Sequence, residues 1–450
     1  MKTGSDFLRN LLKYPSVIVS LVLISILLGI SAYAIIAVPY EQATLLWRGG
    51  EEIWYANPRQ APPAWYNLFS AKKRPVSFSL KSTESESESV TKTVTVDENG
   101  NGETVITYAF DYNYDDFPQE IILYFTSLYQ SKQPFADVMW KMPDGREVRL
   151  TNRVLIARDT YRFSQDAKLE RLLRGTPPMK GLFQPPGQSD APPMKGQYQL
   201  IVTAYTFEPD SNVDAELVLH GQLAGWAGTD HLRRDIGIAL LWGTPIALAF
   251  GLLAALGTTV TTISIAAAGA WYRGWLEELI HRITEVNLVL PFLPILLMIG
   301  TFYSRSIWMI LGASIVLNIF GSGIKTYRAV FMQIMESPYI EAARSYGASD
   351  ARIIFYYMIP RIIPTVVPQL VALIPTYVFL EATLAVLGLG DPILPTWGKL
   401  INDAQNNQAT YTGLYYWILE PSFLLMITGL AFALLGFALD RIFNPRLREI

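Results

Sequence analysis

The sequence predicts an α-helical polytopic membrane protein with six transmembrane helices and a β-rich extracytoplasmic domain inserted between helices 1 and 2. Three observations predict it. Six long stretches lack Asp, Glu, Lys and Arg, positive charge alternates between the loops that join them, and composition changes over residues 41–229.

The charge-free stretches are residues 14–40, 236–272, 286–304, 306–324, 362–380 and 421–439. Each can cross a bilayer core, which takes roughly 20 helical residues. The second is too long for one crossing: as a helix it would extend about 55 Å against a core of about 30 Å. Residues 236–246 are therefore expected to lie along the outer interface before the chain turns inward. Lys2, Arg9, Lys13, an apolar run and Ala32-Tyr33-Ala34 resemble a cleavable leader. The run continues through Ile35, Ile36, Ala37 and Val38, past the place of cleavage, which suits a retained anchor and a first span.

Orientation follows from the charges. Lys2, Arg9 and Lys13 precede the first span, Arg273 and Arg282 lie between the second and third, Lys325, Arg328, Arg344, Arg352 and Arg361 between the fourth and fifth, and Arg441, Arg446 and Arg448 follow the sixth. The opposite short loops carry only Arg305 and Lys399. The positive-inside rule places both termini in the cytosol of a multi-pass cell-membrane protein and residues 41–229 outside. The expected organisation is residues 1–40 as cytosolic N-terminus and first helix, 41–229 as the external domain, and 230–450 as helices 2–6 with a cytosolic loop at 325–361.

Residues 41–229 are long enough to bury a core of their own. Alternating runs at 90–96, 104–114, 121–129, 138–150, 198–207 and 213–219 read as strands, the first two joined through Asp97-Glu98-Asn99-Gly100-Asn101-Gly102 and the fourth bent at Pro143-Asp144-Gly145. An antiparallel sandwich is the expected architecture. Residues 175–196, rich in Pro and Gly and containing PPMKG twice, read as a surface loop. Trp54, Tyr55, Trp65, Tyr66 and Trp140 read as core.

The chain has no Cys, which excludes disulfides and thiol metal sites. A net charge of −3 and the lack of a run of basic residues interleaved with aromatics exclude nucleic acid as a partner. There is no Gly-x-x-x-x-Gly-Lys-Ser/Thr loop, no Gly-x-Ser-x-Gly elbow and no His-Glu-x-x-His pair, so the expectation is a chain that is not an enzyme and binds no cofactor or metal. His220, His231 and His281 lack ligand spacing and read as surface or interfacial.

Residues 337–360 form a charged, helix-forming segment between two apolar stretches. Ser337 suits an N-cap, Pro338 the first helical position and Glu341 the positive end of a helix dipole. Gly347 suits a left-handed helix end. Ser349 then caps a second helix with Ile353, Ile354 and Tyr357 on one face, closed at Pro360.

The segment EAARSYGASDARIIFYYMIP resembles the EAA loop of the membrane subunits of binding-protein-dependent ABC importers, matching at Glu341, Ala342, Ala343, Gly347 and Pro360. GTDHLRRD at 228–235, EATLAVLGLG at 381–390, Pro395-Thr396-Trp397-Gly398 and the tail from Asn444 to Arg448 extend the likeness, which covers residues 228–450 and is strongest to the second permease subunit of dipeptide and oligopeptide systems. Arg234, Tyr356 and Tyr357 depart from the usual pattern. The resemblance implies a type I importer permease fold. It implies that Glu341, Ala342, Ala343, Arg344, Gly347 and Pro360 couple to the ATPase, and that the cargo is a di- or oligopeptide. The implied partners are a second homologous permease subunit in a heterodimer, two cytosolic ATPase subunits that bind ATP and Mg, an extracytoplasmic solute-binding protein and membrane lipid.

Glu381 is a carboxylate embedded in apolar sequence and, with Asn318 and Gln369, is a candidate for the translocation path; a packing role for Glu381 at an irregular span end is the alternative. Asp230, Arg233 and Asp235 are candidates for anchoring at the outer interface or for receptor docking. Two other readings stay open: a membrane-anchored receptor or adaptor, and an importer of oligosaccharides.

Overall fold

The computed structural model describes residues 14–84, 89–97, 100–188 and 191–443. Lys2, Arg9, Lys13, the tail from Asn444 to Arg448 and the turn residues 98–99 lie outside them. The chain divides into two compact units, one of Gly49–Gly237 and one of the chain before and after it. Residues 41–48 thus belong with the helices and residues 230–237 with the β-rich unit.

The β-rich unit holds β1 (Phe78–Lys81), β2 (Val90–Val96), β3 (Gly102–Tyr112), β4 (Glu120–Leu128), β5 (Phe135–Lys141), β6 (Glu147–Val154), β7 (Arg158–Arg162), β8 (Gly196–Thr206) and β9 (Asn212–His220). They pair antiparallel in two sheets, ordered β1-β9-β4-β7 and β2-β3-β8-β5-β6. Buried and less buried residues alternate along β3 and β8, as a pleated strand with one covered face requires. Their inward residues and those of β4 and β9 share one core with Trp140, Phe163 and Phe183. Tyr108 on β3 donates its hydroxyl to the Ala215 carbonyl of β9 at 2.5 Å, so a polar atom deep between the sheets keeps a partner.

Two readings of this unit are corrected. Trp140 is fully enclosed, but Trp65 is 41% exposed, because it sits on a single 3₁₀ turn, Ala64–Leu68, outside both sheets. Residues 175–196 are more than a surface loop. The first PPMKG forms the short helix Pro178–Gly181, with proline at its first turn, and delivers Leu182 and Phe183 into the core. The second copy forms no helix and leads into β8, so identical residues follow their flanking context.

The helical unit holds α1 (Pro15–Ala37), α2 (Tyr40–Arg48), α3 (Ile236–Tyr272), α4 (Gly274–Val289), α5 (Phe292–Phe302), α6 (Ile307–Ile319), α7 (Ser322–Met335), α8 (Pro338–Ser345), α9 (Asp350–Leu389), α10 (Trp397–Asn406) and α11 (Tyr416–Phe443). By length and composition α1, α3, α9 and α11 can each cross a membrane; α4 with α5, bent by 82°, and α6 with α7, bent by 47°, qualify as broken pairs.

The stretch 236–272 does not turn near residue 246. It is one 37-residue helix that runs through Pro245. Thr244 and Trp397 both donate side-chain hydrogen bonds to the Leu240 carbonyl, bracing the turn just before the proline. The third charge-free stretch, conversely, is broken. Leu290 precedes Pro291 and adopts an extended conformation, since a proline ring excludes the helical one from its predecessor.

Close packing depends on small residues. A Cβ on Gly251 of α3 would stand 2.9 Å from the Ile374 carbonyl of α9, so the two backbones approach only because that position lacks a side chain.

Candidate functional site

The segment 337–359 folds as an α-helical hairpin. Ser337 and Ser349 occupy N-cap positions in extended conformation, but neither side chain accepts an amide hydrogen bond; Pro338, which has no N–H, opens α8. At the other end Gly347 adopts φ +77°, its N–H donates to Arg344 O, and Ala348 N–H reaches back to Ala343 O at 3.1 Å. These two bonds are a Schellman closure, which requires the left-handed glycine between them.

Pro360 does not close the second helix. Within α9, residues Ile353–Met358 widen into a π turn in which Ile359 N–H donates to Ile354 O, and the helix continues unbroken through Pro360. The wider turn shifts the hydrogen-bond register by one residue and makes room for the proline ring.

The hairpin has two faces. Ile340, Ala343, Ile353, Ile354 and Met358 are buried in a cluster with Phe331 and Ile334 of α7, Ala267 and Ala270 of α3 and Ile362 of α9. Burial of each large apolar residue stabilises by roughly 1.5–3 kcal/mol, enough together to hold the hairpin on the helices as one body. The other face is open. Glu341, Ala342, Arg344, Gly347 and Pro360 are exposed, and Tyr346, Tyr356 and Phe355 stand out at 92%, 77% and 57%. Arg344 lies with its guanidinium 4.7 Å from the centre of the Trp271 ring.

A cavity of about 440 Å³ opens among α3, α4, α5, α6, α7 and α9. Thr258, Thr259, Thr262, Asn287, Asn318, Ser322, Tyr327 and Tyr377 supply its polar side chains, and among the described residues no charged side chain lines it. Thr258 and Tyr377 share a hydrogen bond of 2.9 Å, Asn287 donates to Leu317 O, and Asn318 to Ser314 O. Gln369 accepts from the Tyr327 hydroxyl at 2.8 Å, one bond back from the wall.

Glu381 lies elsewhere. It is enclosed and hydrogen-bonded to Thr396, whose hydroxyl also caps α10 by accepting from Lys399 N–H. Nearby, Gly388 at φ +92° interrupts the end of α9, and Asp391 accepts from the Ile307 N–H that opens α6. Asn318 and Gln369 thus gather at the cavity and Glu381 does not. Sequence reasoning missed Thr258, Thr259, Asn287, Tyr327 and Tyr377: Thr258, Thr259 and Tyr377 carried a signal as polar residues inside charge-free stretches, whereas Asn287 and Tyr327 lie on helices that also carry charges.

Asp230 is fully enclosed, pairs with Arg234 at 2.5 Å and accepts the Leu232 and Arg234 amides. It offers no surface to a partner. Arg233 adopts φ +64° and donates to the Asn57 carbonyl, and Asp235 accepts from Gly237 N–H in the first turn of α3. His220 is also buried, against expectation, with Nε2 3.1 Å from Tyr55 O; burial and then the charge of Arg233 push it down to about 4.

Residues 260–449 match the family described as binding-protein-dependent transport system inner membrane component. Glutathione transport system permease proteins of Pectobacterium atrosepticum and Escherichia coli are 29% and 30% identical over 229 and 237 residues, half of this chain and 74% of each relative. A dipeptide transport system permease protein of Bacillus subtilis is 28% identical over 225 residues, half of this chain and 69% of that relative.

Proposed function

The chain belongs to the family of binding-protein-dependent transport system inner membrane components, and from that premise we propose that it is the permease subunit through which a peptide-importing ABC complex moves its cargo. The observation that carries the reading is the hairpin 337–359, fixed to the helices on one face and open on the other. A rigid element that follows α7 and contains the first turns of α9 transmits a push at its tip to both.

In this reading α1, α3, α9, α11 and the two bent pairs make six spans. Arg273, Arg282, Lys325, Arg328, Arg344 and Arg352 put the hairpin and both termini in the cytosol, and the β-rich unit outside. Glu341, Ala342, Arg344 and Gly347, with Tyr346, Phe355 and Tyr356, face a cytosolic ATPase subunit, while Ala343 holds the buried side and Pro360 lies where α9 runs on from the hairpin. Exposed aromatics are the side chains that anchor interfaces. ATP and Mg belong to two such subunits, and a second permease chain completes the pore.

The cargo reading rests on two supports. The relatives' names specify dipeptide and glutathione transport. The cavity presents uncharged hydrogen-bonding groups, which suit a peptide backbone and bind it weakly enough for release. Asn318 and Gln369 are assigned to the path, Glu381 to its supporting wall, and Arg233 and Asp235 to the outer interface beneath the binding protein.

Purification of the intact complex from native membranes tests the assignment. Co-purifying ATPase chains and a second permease support it. Their absence, with a signalling partner in their place, supports a membrane-anchored receptor instead.

A further inference from the structure

Between its first residues and β1 the β-rich unit carries an apolar turn that its core does not use. Trp65 is 41% exposed, Leu68 81% and Phe69 84%, and the Trp65 ring packs against Tyr66 and Phe69 with centroids 4.8 and 6.2 Å away. The cluster holds its shape without being covered. Directly after it come Lys72, Lys73 and Arg74, all exposed. Asn67 pins the two parts together: its side chain donates to the Arg74 carbonyl and accepts from the Arg74 N–H, both at 2.9 Å.

The same turn is tied to the residues that open α3. Ala64 N–H donates to Gly225 O, which sets Trp65 and the 55% exposed Trp226 one residue to either side of a shared bond. Trp226 in turn lies against Gly237, where a Cβ would stand 2.6 Å from its ring. Gly237 is in the first turn of α3. An apolar tip, a basic rim and attachment to the start of a spanning helix are the three properties of an element that lies in a membrane interface.

We propose that residues 64–74 seat in the outer surface of the lipid bilayer, with Trp65, Leu68 and Phe69 at the acyl boundary and Lys72, Lys73 and Arg74 at the lipid phosphates. Long basic side chains reach phosphates while their stems cover apolar surface. Asp115 is the acidic neighbour: one oxygen accepts from Lys73 N–H and the other pairs with Lys195, so the basic rim keeps its sign. Insertion removes Leu68 and Phe69 from water. The proposal takes from the transport reading only that α3 crosses the bilayer.

The chain has no Cys, so one introduced Cys labels one site. Leu68→Cys, Phe69→Cys, Leu128→Cys and Val260→Cys variants of the full chain would carry an environment-sensitive fluorophore in vesicles of phosphatidylethanolamine and phosphatidylglycerol. Leu128 is an exposed strand end of the β-rich unit and Val260 an exposed position of α3. Quenching by shallow spin-labelled lipid at least about twofold greater at 68 and 69 than at 128 is expected of an inserted patch. Quenching at 68 and 69 no greater than at 128, with 260 quenched, overturns the proposal and leaves the transport reading standing. A label at 69 that responds to added solute-binding protein but not to the lipid quencher also overturns it, in favour of a protein contact. Absence of quenching at 260 as well removes both readings.

Discussion

Arg344 rests on Trp271, its guanidinium 4.7 Å from the ring centre, joining the open side of the hairpin to the last turn of α3. The contact adds a second tether beside the apolar cluster. A cation over an aromatic face at an exposed site contributes about 0.5–1 kcal/mol. Arg344→Ala and Trp271→Ala are each expected to leave the complex assembled while lowering the peptide moved per ATP hydrolysed. Equal losses in the single and double variants would show that the two side chains act through each other; additive losses would show that they do not.

Gly347 holds a left-handed conformation with open space where a Cβ would stand. Gly347→Ala therefore tests backbone strain alone, at a cost of roughly 1–2 kcal/mol, and Gly347→Asn should cost less because Asn tolerates this region. Hydrogen exchange of amides 343–348 should speed up in the order wild type, Asn, Ala. Identical exchange in all three would remove the Schellman closure as the device that sets the hairpin angle.

Glu381→Gln keeps a group able to hydrogen-bond Thr396 and removes a carboxylate that the cavity does not use. Transport and assembly are expected within about twofold of wild type, since a neutral isostere at a paired site loses little. Glu381→Leu leaves Thr396 without that partner and should lower the yield of assembled complex. A transport defect in Glu381→Gln with normal assembly would return Glu381 to the path.

His220 in the β-rich unit titrates near 4 when folded, against about 6.5 for the free side chain. Its folded form resists protonation, so the unfolded chain binds the extra proton as pH falls from about 6.5 toward 4, and stability declines across that window. The difference is worth up to roughly 3 kcal/mol, since each pKa unit is about 1.4 kcal/mol. Thermal unfolding of the β-rich unit within the full chain, followed at pH 7 and pH 5, should show a smaller drop for His220→Gln than for wild type. Parallel drops would contradict the assignment.

What the sequence disclosed and what it withheld have physical reasons. Charge-free stretches locate membrane-compatible helices because hydrocarbon excludes charge, and α1, α9 and α11 fall where 14–40, 362–380 and 421–439 indicated. Direction is not encoded that way, so the breaks before Pro291 and Gly321 and the unbroken α3 needed backbone geometry. Alternation and turn residues located the strands. Asp230 read as an interfacial charge because burial of its ion pair with Arg234 depends on the fold around it. The cavity was hidden because Thr258 and Tyr377, which meet across it, are far apart in the chain.

The most direct measurement is ATP-driven peptide uptake by the complex in vesicles after Tyr346→Asp and Tyr356→Asp, two changes on the exposed face that leave the buried face of the hairpin intact. If this face grips the ATPase, uptake falls at least about tenfold and ATPase chains dissociate, as expected when charge enters the centre of an interface. Wild-type uptake with ATPase chains still bound would contradict the lever reading.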